Sequence, residues 1–306
     1  MMRLVLTGKF SNQWGAEHLV LRGFEQLGHA VKPLSLDSEV LASVTGSPGD
    51  IDLIVVMQGY GVHPRAFTRL RDRLGAPMVL WHGEVMSREW PTADQVVQGK
   101  AQQLGRIAPA FDLVLHNCMC CLSTVEKLGA KRVAWCPVNG IDPDRHRRVS
   151  VPKTYDVGFY GWPSPRRESW MGALREAGIS VMWPQPREGV YGETLTEFIN
   201  QCRGILNMHY SDTLNTECRV YEALGCGVPV VSEPVSMPAL FPPGGGVLYC
   251  ETPLEMAAAL KDLLANDGVE AARLGARGHS LVHEHYTYRQ RCQQLLETVS
   301  REISHG

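Results

Sequence analysis

Twice along this chain a short apolar run ends in a glycine-containing or polar turn, passes into an amphipathic helical pattern, and begins again. In the first half the runs are MRLVLTG (2–8), HAVKPLSL (29–36), DIDLIVVMQG (50–59), PMVLWHGE (77–84), FDLVLHN (111–117) and RVAWCPVNG (132–140). Between them lie helical patterns from Ala16 to Leu27, closed by Gly28, at AFTRLRDRLG (66–75), and at CLSTVEKLGA (121–130), closed by Gly129. A run as continuously apolar as Leu53–Met57 suits a strand covered on both faces, which is the condition of a parallel strand flanked by helices. Strand and helix in alternation therefore predict a doubly wound α/β sheet.

The pattern is interrupted at RHRRVSVPKT (145–154), which is polar, basic and carries Pro152. It then restarts with strands at YDVGFYG (155–161), ISVMWPQ (179–185), RGILNMHY (203–210), VPVVSEP (228–234) and GGGVLYC (244–250). Helical patterns separate them at RRESWMGALREAG (166–178), TLTEFINQC (194–202), CRVYEALGCG (218–227) and PLEMAAALKDLLAND (253–267). The 306 residues exceed the ~250–300 at which a single core stops growing, so two domains are expected. The predicted boundaries are 1–150 and 151–285, with 286–306 as a final helix that crosses back to the first domain. Ligands of such folds gather at the carboxyl ends of the strands, which would place a cleft between the two domains.

Composition narrows the partners. A net charge of −2 supplies no global field for nucleic acid or an anionic membrane. No apolar run approaches the ~18 residues of a membrane span, and the opening MMRLVLTGKF suits a first strand better than a signal peptide. Nine scattered cysteines, an odd number, read as reduced thiols in a cytoplasmic protein. Cys118 and Cys121 are spaced as CxxC with Cys120 between them, but no second ligand pair at zinc spacing follows, so buried thiols at a helix start are expected and no metal site.

The stretch with the most chemistry is ILNMHYSDTLNTECRVYEALGCGVPVVSEP (205–234). A helix beginning near Asn215 to Glu217 would turn its positive end toward the preceding loop, where a phosphate can sit. Arg219 and Glu222, three residues apart, share a face of that helix. Together they offer a cation for a diphosphate and a carboxylate for ribose hydroxyls; the alternative is a surface ion pair of little energetic weight. The loop GFYGW (158–162) has glycines where backbone N–H groups can approach a phosphate, or where a tight turn needs them. Trp183 and Tyr191 either stack on a base or pack internally. In the first half, His82 and Glu84 end one strand, while His116 and Asn117 end its neighbour. The loop after the first strand carries Lys9, Asn12 and Trp14.

LNMH at 206–209 and RVYEALGCG at 219–227 resemble the donor-binding signature of the glycosyltransferase group 1 superfamily, particularly its CgeB-like branch. PVNGIDPDRH (137–146), YDVGFYGW followed by Arg166 and Arg167, and HEHYTYRQRCQQLLETV (283–299) resemble further segments in the superfamily's order. The resemblance covers 130–306 and extends to the first third only in fold pattern. It implies the GT-B fold, two Rossmann-like domains facing across a cleft, and transfer of a sugar from a nucleotide-sugar donor, most commonly UDP-linked, to a hydroxyl acceptor. On this resemblance Glu222 holds the donor ribose, and Arg219 stands at the diphosphate with Arg166 or Arg167 as a second cation. Gly161, Trp183, His209 and Asn215 complete the donor set. His82 and Glu84 join Arg219 as catalytic candidates, and Lys9, Asn12, Trp14, His116 and Asn117 are acceptor candidates. Many retaining members carry a second glutamate eight residues before the ribose-binding one; here that position is Leu214. The Asp-x-Asp match at Asp142–Asp144 lies in the interdomain segment, so metal-independent transfer with retention is expected, with no cofactor beyond the nucleotide-sugar substrate. The acceptor stays open among glycan, protein, small molecule and modified DNA base, without stable membrane insertion. An epimerase or hydrolase of the same fold and an inactive nucleotide-sugar-binding protein are the rival readings.

Overall fold

The computed structural model describes residues 1–84, 86, 87, 94–184, 190–211 and 213–304. The chain divides into two compact units, Met1–Asn139 with Tyr288–Gly306, and Gly140–Thr287.

The first unit is built on β1 (Arg3–Gly8), β2 (Ala30–Ser35), β3 (Leu53–Met57), β4 (Met78–His82), β5 (Leu113–His116) and β6 (Val133–Trp135), all parallel, in the order β2-β1-β3-β4-β5-β6. Successive side chains of a strand point to opposite faces, and the two cores follow that period. Ile54, Val56, Met78, Leu80 and Val114 enter one core, and Leu53, Val55, Val79, Trp81, Leu113 and Leu115 the other. Every residue of β3 and β5 is buried, as their apolar runs require. Pro33, which has no N–H for a ladder, lies in the edge strand β2, where that lack is tolerated. Helices α1 (Ala16–Gln26), α2 (Ser38–Ser43), α3 (Pro64–Leu74), α4 (Gln95–Ile107) and α5 (Leu122–Lys127) cover the sheet. The helical patterns expected at 16–27, 66–75 and 121–130 correspond to α1, α3 and α5; α2 and α4 were not anticipated.

The second unit has β7 (Tyr155–Gly158), α6 (Pro165–Glu176), β8 (Val181–Met182), α7 (Glu193–Gln201), β9 (Cys202–Asn207), α8 (Cys218–Gly225), β10 (Val230–Ser232) and β11 (Val247–Tyr249). Its parallel sheet runs β11-β10-β9-β7-β8. The strand expected at 179–185 is confined to β8, and Gln185 at its end lies outside the described residues. Helix α9 (Pro253–His285) is broken at Ala265–Gly268, where Asn266, Asp267 and Gly268 take positive φ. The last helix, α10 (Tyr288–Ser304), packs in the first unit against α1. Gly23 of α1 permits that approach: a Cβ there would lie 2.8 Å from both the Tyr288 carbonyl oxygen and Cys292 Sγ.

The division falls between Asn139 and Gly140, eleven residues before the expected boundary of 150. The physical reason is backbone bonding. Asn200 Nδ2 donates to the Arg147 carbonyl at 3.0 Å, its Oδ1 accepts from Val149 N–H at 3.0 Å, and Thr196 Oγ1 donates to the Arg145 carbonyl at 2.8 Å. The segment expected to be a linker is thus sewn onto α7. In each sheet the strand order reverses beside the first strand, between β1 and β3 and between β7 and β9. Such a switch point leaves a crevice outside the carboxyl ends of the strands, where doubly wound folds bind ligands.

Candidate functional site

At the switch point of the second unit, β7 runs out through Phe159, Tyr160 and Gly161, and β9 through Met208 and His209. Arg219, the second residue of α8 and 5% exposed, joins the two exits. Its Nε donates to the Tyr160 carbonyl at 2.8 Å and its Nη1 to Asn207 Oδ1 at 2.8 Å. The guanidinium stands 4.7 Å from the Phe159 ring centroid and 5.4 Å from that of Tyr160. Asn207 is fixed in turn by donating from Nδ2 to Ser232 Oγ at 2.9 Å. Gly161 has φ 149°, and a Cβ on it would lie 2.7 Å from Arg219 Nη2 and 3.2 Å from Arg167 Nη1. A glycine is what lets two guanidinium groups lie against this turn.

Glu222, one turn further along α8, accepts from the Tyr160 hydroxyl at 2.8 Å. Burial, and then the Glu222 charge, holds the Tyr160 phenol well above its ordinary pKa, so it remains a donor. No ion pair joins Arg219 to Glu222 among the described residues; the surface-pair alternative gives way to two side chains committed separately to the β7 exit. Glu217 precedes α8 in extended conformation without a side-chain cap, which leaves the positive end of the helix to its surroundings.

Arg166 and Arg167 have opposite fates. Arg167 is 4% exposed and spends its guanidinium on carbonyls: Nε and Nη2 donate to Met208 O at 3.1 and 2.9 Å, and Nη1 to Trp162 O at 2.7 Å. Burial, then the nearby Arg219 charge, pulls its pKa down to about 10. Arg166 is half-exposed and pairs with Glu233. Glu233, 2% exposed at the end of β10, also accepts from His209 N–H at 2.7 Å. His209 Nε2 lies 2.8 Å from the Pro234 carbonyl, and its buried Nδ1 finds no partner among the described residues. Asn215 is buried in the loop before α8. Trp183 donates from its indole to the Gly161 carbonyl at 3.0 Å and packs edge-on against Phe159, the internal-packing alternative. Tyr191 is exposed and lines a 180 Å³ pocket with Tyr160, Gly161, Trp162, Cys218 and Arg219.

In the first unit, His82 and His116 are register partners on β4 and β5, with ring centroids 5.2 Å apart at 84°. Both are fully buried. The Tyr60 hydroxyl lies 2.5 Å from His82 Nε2, and His116 Nδ1 accepts from Cys118 N–H at 3.4 Å. His82 Nδ1 and His116 Nε2 have no partner among the described residues. Burial drives His82 well below 6.5 and His116 to about 4, so both rings are neutral near pH 7. Glu84 is held by Lys100. The side chain of Asn117 is structural at one end, its Oδ1 accepting from Val138 N–H at 3.0 Å. Lys9 and Asn12 are exposed and Trp14 half-buried on the loop after β1, where Asn12 Oδ1 accepts from Trp14 N–H at 2.9 Å to shape the entry to α1. At the end of β3, Gln58 takes φ 62° and accepts from Gly83 N–H at 3.2 Å, tying the exits of β3 and β4 together. Tyr60, Gln58, the hydroxyl of Tyr160 and Glu233 were not singled out from the sequence. The Asp142–Asp144 match is a local turn, in which Asp142 Oδ1 accepts from Asp144 N–H at 3.0 Å.

Two parallel, doubly wound units with this switch-point site define the class: the chain has the GT-B fold. Its whole length superposes on solved glycosyltransferase structures. Sucrose-phosphate synthase from Thermosynechococcus elongatus matches with a TM-score of 0.66 at 12% identity, covering 100% of each chain. HepE from Anabaena, solved in complex with UDP and glucose, matches with a TM-score of 0.65 at 16% identity over 98% of this chain and 100% of that one. Residues 166–297 match the family model described as Glycosyl transferase-like. A curated relative, uncharacterized protein L140 of Acanthamoeba polyphaga mimivirus, is 35% identical over 89 residues, 27% of this chain and 27% of that protein. The match thus spans little more than a quarter of the relative's length.

Proposed function

We propose that this chain transfers a sugar from a UDP-sugar to a hydroxyl acceptor, without a metal ion and with retention at the anomeric carbon. The observation that carries this is the Arg219–Tyr160–Glu222 array at the β7/β9 switch point. The donor diphosphate is assigned to the Arg219 guanidinium and the open first turn of α8, which stabilise the charge that develops on the leaving group. Glu222 accepts from Tyr160 on one oxygen and retains lone pairs for two ribose hydroxyls. Arg166 is the second cation at the diphosphate, detached from Glu233 when the donor binds. Arg167, bonded to Met208 and Trp162, holds the loops that carry the site. Gly161, Trp183, His209 and Asn215 shape the pocket.

The acceptor is assigned to the first unit, with Lys9, Asn12 and Trp14 on the β1 loop and His116 and Asn117 supporting the strand exits. His82 serves as a neutral hydrogen-bonding group and Glu84 as the local charge that orients the acceptor hydroxyl. The donor's own diphosphate takes the acceptor proton. Nine scattered cysteines, an odd number, favour a reducing compartment such as the cytoplasm; among the described residues no helix is long and apolar enough to cross a membrane. HepE, with a similar fold, was solved with UDP and glucose, which favours UDP as the nucleotide here.

The test is thermal unfolding with UDP-, GDP-, ADP- and dTDP-sugars in the presence of EDTA. A ligand at 100 times its Kd stabilises by about 2.7 kcal/mol. A shift with UDP-sugars that disappears in Glu222→Ala supports the assignment, and no shift with any nucleotide overturns it. Sugar release without an acceptor would redirect the reading to a hydrolase.

A further inference from the structure

We propose that Cys118, Cys120 and Cys121 form a three-thiolate site for a soft divalent cation of the Zn²⁺ type, in the turn between β5 and α5. The three Sγ atoms all lie within 4.8 Å of one another, and no other trio of His, Cys, Asp or Glu among the described residues is gathered this way. Cys118 Sγ is 3.1 Å from Cys120 Sγ, and Cys120 Sγ is 3.8 Å from Cys121 Sγ. Zn–S bonds of ~2.3 Å in tetrahedral geometry separate two sulfurs by about 3.8 Å, so the Cys120–Cys121 pair already has that spacing and the Cys118–Cys120 pair has to open from 3.1 Å by roughly 0.7 Å around a central ion. The short helical turn Met119–Cys121, closed by Cys121 N–H donating to the Cys118 carbonyl at 3.2 Å, brings residues 118 and 121 to the same side.

Burial supports a built site with an entry. Cys118 and Cys121 are buried and Cys120 is partly open to solvent. Thr124 Oγ1 donates to the Ser87 carbonyl at 3.2 Å, and Cys121 Sγ lies 3.6 Å from the Met86 carbonyl. An ion here would fix the turn leaving β5, which Thr124 already ties to the segment following β4; the Cys121 S–H contact to the Met86 carbonyl is given up when the thiol is deprotonated. Binding breaks three S–H bonds and forms three S–metal bonds. Three protons pass to solvent, the metal keeps its oxidation state, and water fills the fourth position. The spacing CxCC lacks the second ligand pair of a structural zinc finger, which marks this as an open, exchangeable site.

The experiment titrates the reduced, metal-free full-length chain with Co²⁺ and then displaces it with Zn²⁺. One Co²⁺ per chain is expected, with a thiolate charge-transfer band that Zn²⁺ abolishes and about three protons released per ion. Cys120→Ser weakens binding at least tenfold, whereas Cys250→Ser, in the other unit, leaves it unchanged. On the wild-type chain, Zn²⁺ protects Cys118, Cys120 and Cys121 from alkylation, read by mass spectrometry, so the outcome does not depend on a variant folding. No stoichiometric uptake, a Co²⁺ band undiminished in Cys120→Ser, or loss of two thiols to a disulfide without metal uptake overturns the proposal. The readout involves no sugar nucleotide, so it stands or falls apart from the transferase reading.

Discussion

Replacing Arg219 by lysine keeps the charge of α8 and removes the fork. In the native site one guanidinium reaches the Tyr160 carbonyl and Asn207 Oδ1 at once, both at 2.8 Å, while lying over Phe159. A lysine ammonium is a single point on a flexible stem and cannot hold both acceptors in that plane. One of the two buried acceptors loses a charged donor, which costs about 1.5–3 kcal/mol. Unit 2 is a domain for which 1 kcal/mol moves Tm by roughly 2–4 °C. Its melting transition should therefore fall by roughly 3–12 °C, read by calorimetry on the isolated segment Gly140–Thr287 and on the full chain. UDP affinity, measured by isothermal titration, should fall at least tenfold, because the cation no longer has a fixed direction. A variant with unchanged Tm and undiminished UDP affinity would show that the β7–β9 junction does not depend on this side chain, and would refute the assignment of the diphosphate to it.

Further outcomes follow from the same geometry. Gly161→Ala sets a Cβ 2.7 Å from Arg219 Nη2 at φ 149°, so it should cost about 1–3 kcal/mol and weaken UDP binding; Gly172→Ala, in open space on α6, should be neutral or stabilise by up to ~1 kcal/mol. Glu222→Gln keeps an acceptor for Tyr160 but removes the charge, so UDP titration should show weaker binding with Tm nearly unchanged. Tyr60→Phe strips His82 of its 2.5 Å partner and should lower the stability of unit 1 by about 1–3 kcal/mol in urea unfolding. His82 titrates well below 6.5 in the folded state and His116 at about 4, while the unfolded chain takes up these protons near 6.5. Their contribution is complete above pH 6.5 and is lost as pH falls toward 4; urea midpoints with EDTA present should show this decline, flattened in His82→Gln.

Much of the frame was legible because it is local. Continuous apolar runs announced β3, β4 and β5, and Gly28 and Gly129, both with positive φ, ended their helices as read. Helix α4 escaped because Gly99 and Gly105 and its glutamines dilute an apolar face made of Val97, Ala101, Leu104 and Ile107. In the site, Arg219 and Glu222 could be found from their spacing on one helix. Their partner Tyr160 could not, since it lies 59 and 62 positions away and leaves no periodic trace. Glu233 meets Arg166 across 67 positions for the same reason. Arg166 and Arg167 are neighbours in sequence but point ~100° apart around α6, so only packing decides which is consumed by carbonyls and which faces solvent.

Unit 1 is discontinuous in sequence, and that has a consequence for how the protein is made. Phe24 and Leu19 of α1 share a core with Cys292, Leu295 and Val299 of α10, with all of Gly140–Thr287 synthesised in between. The first 139 residues leave the ribosome with that face of α1 bare, and they remain so until α10 emerges. Unit 2 is contiguous and can close first. The half of the chain translated earlier is thus the half completed later, which puts the burden of chaperone protection on the amino-terminal sheet.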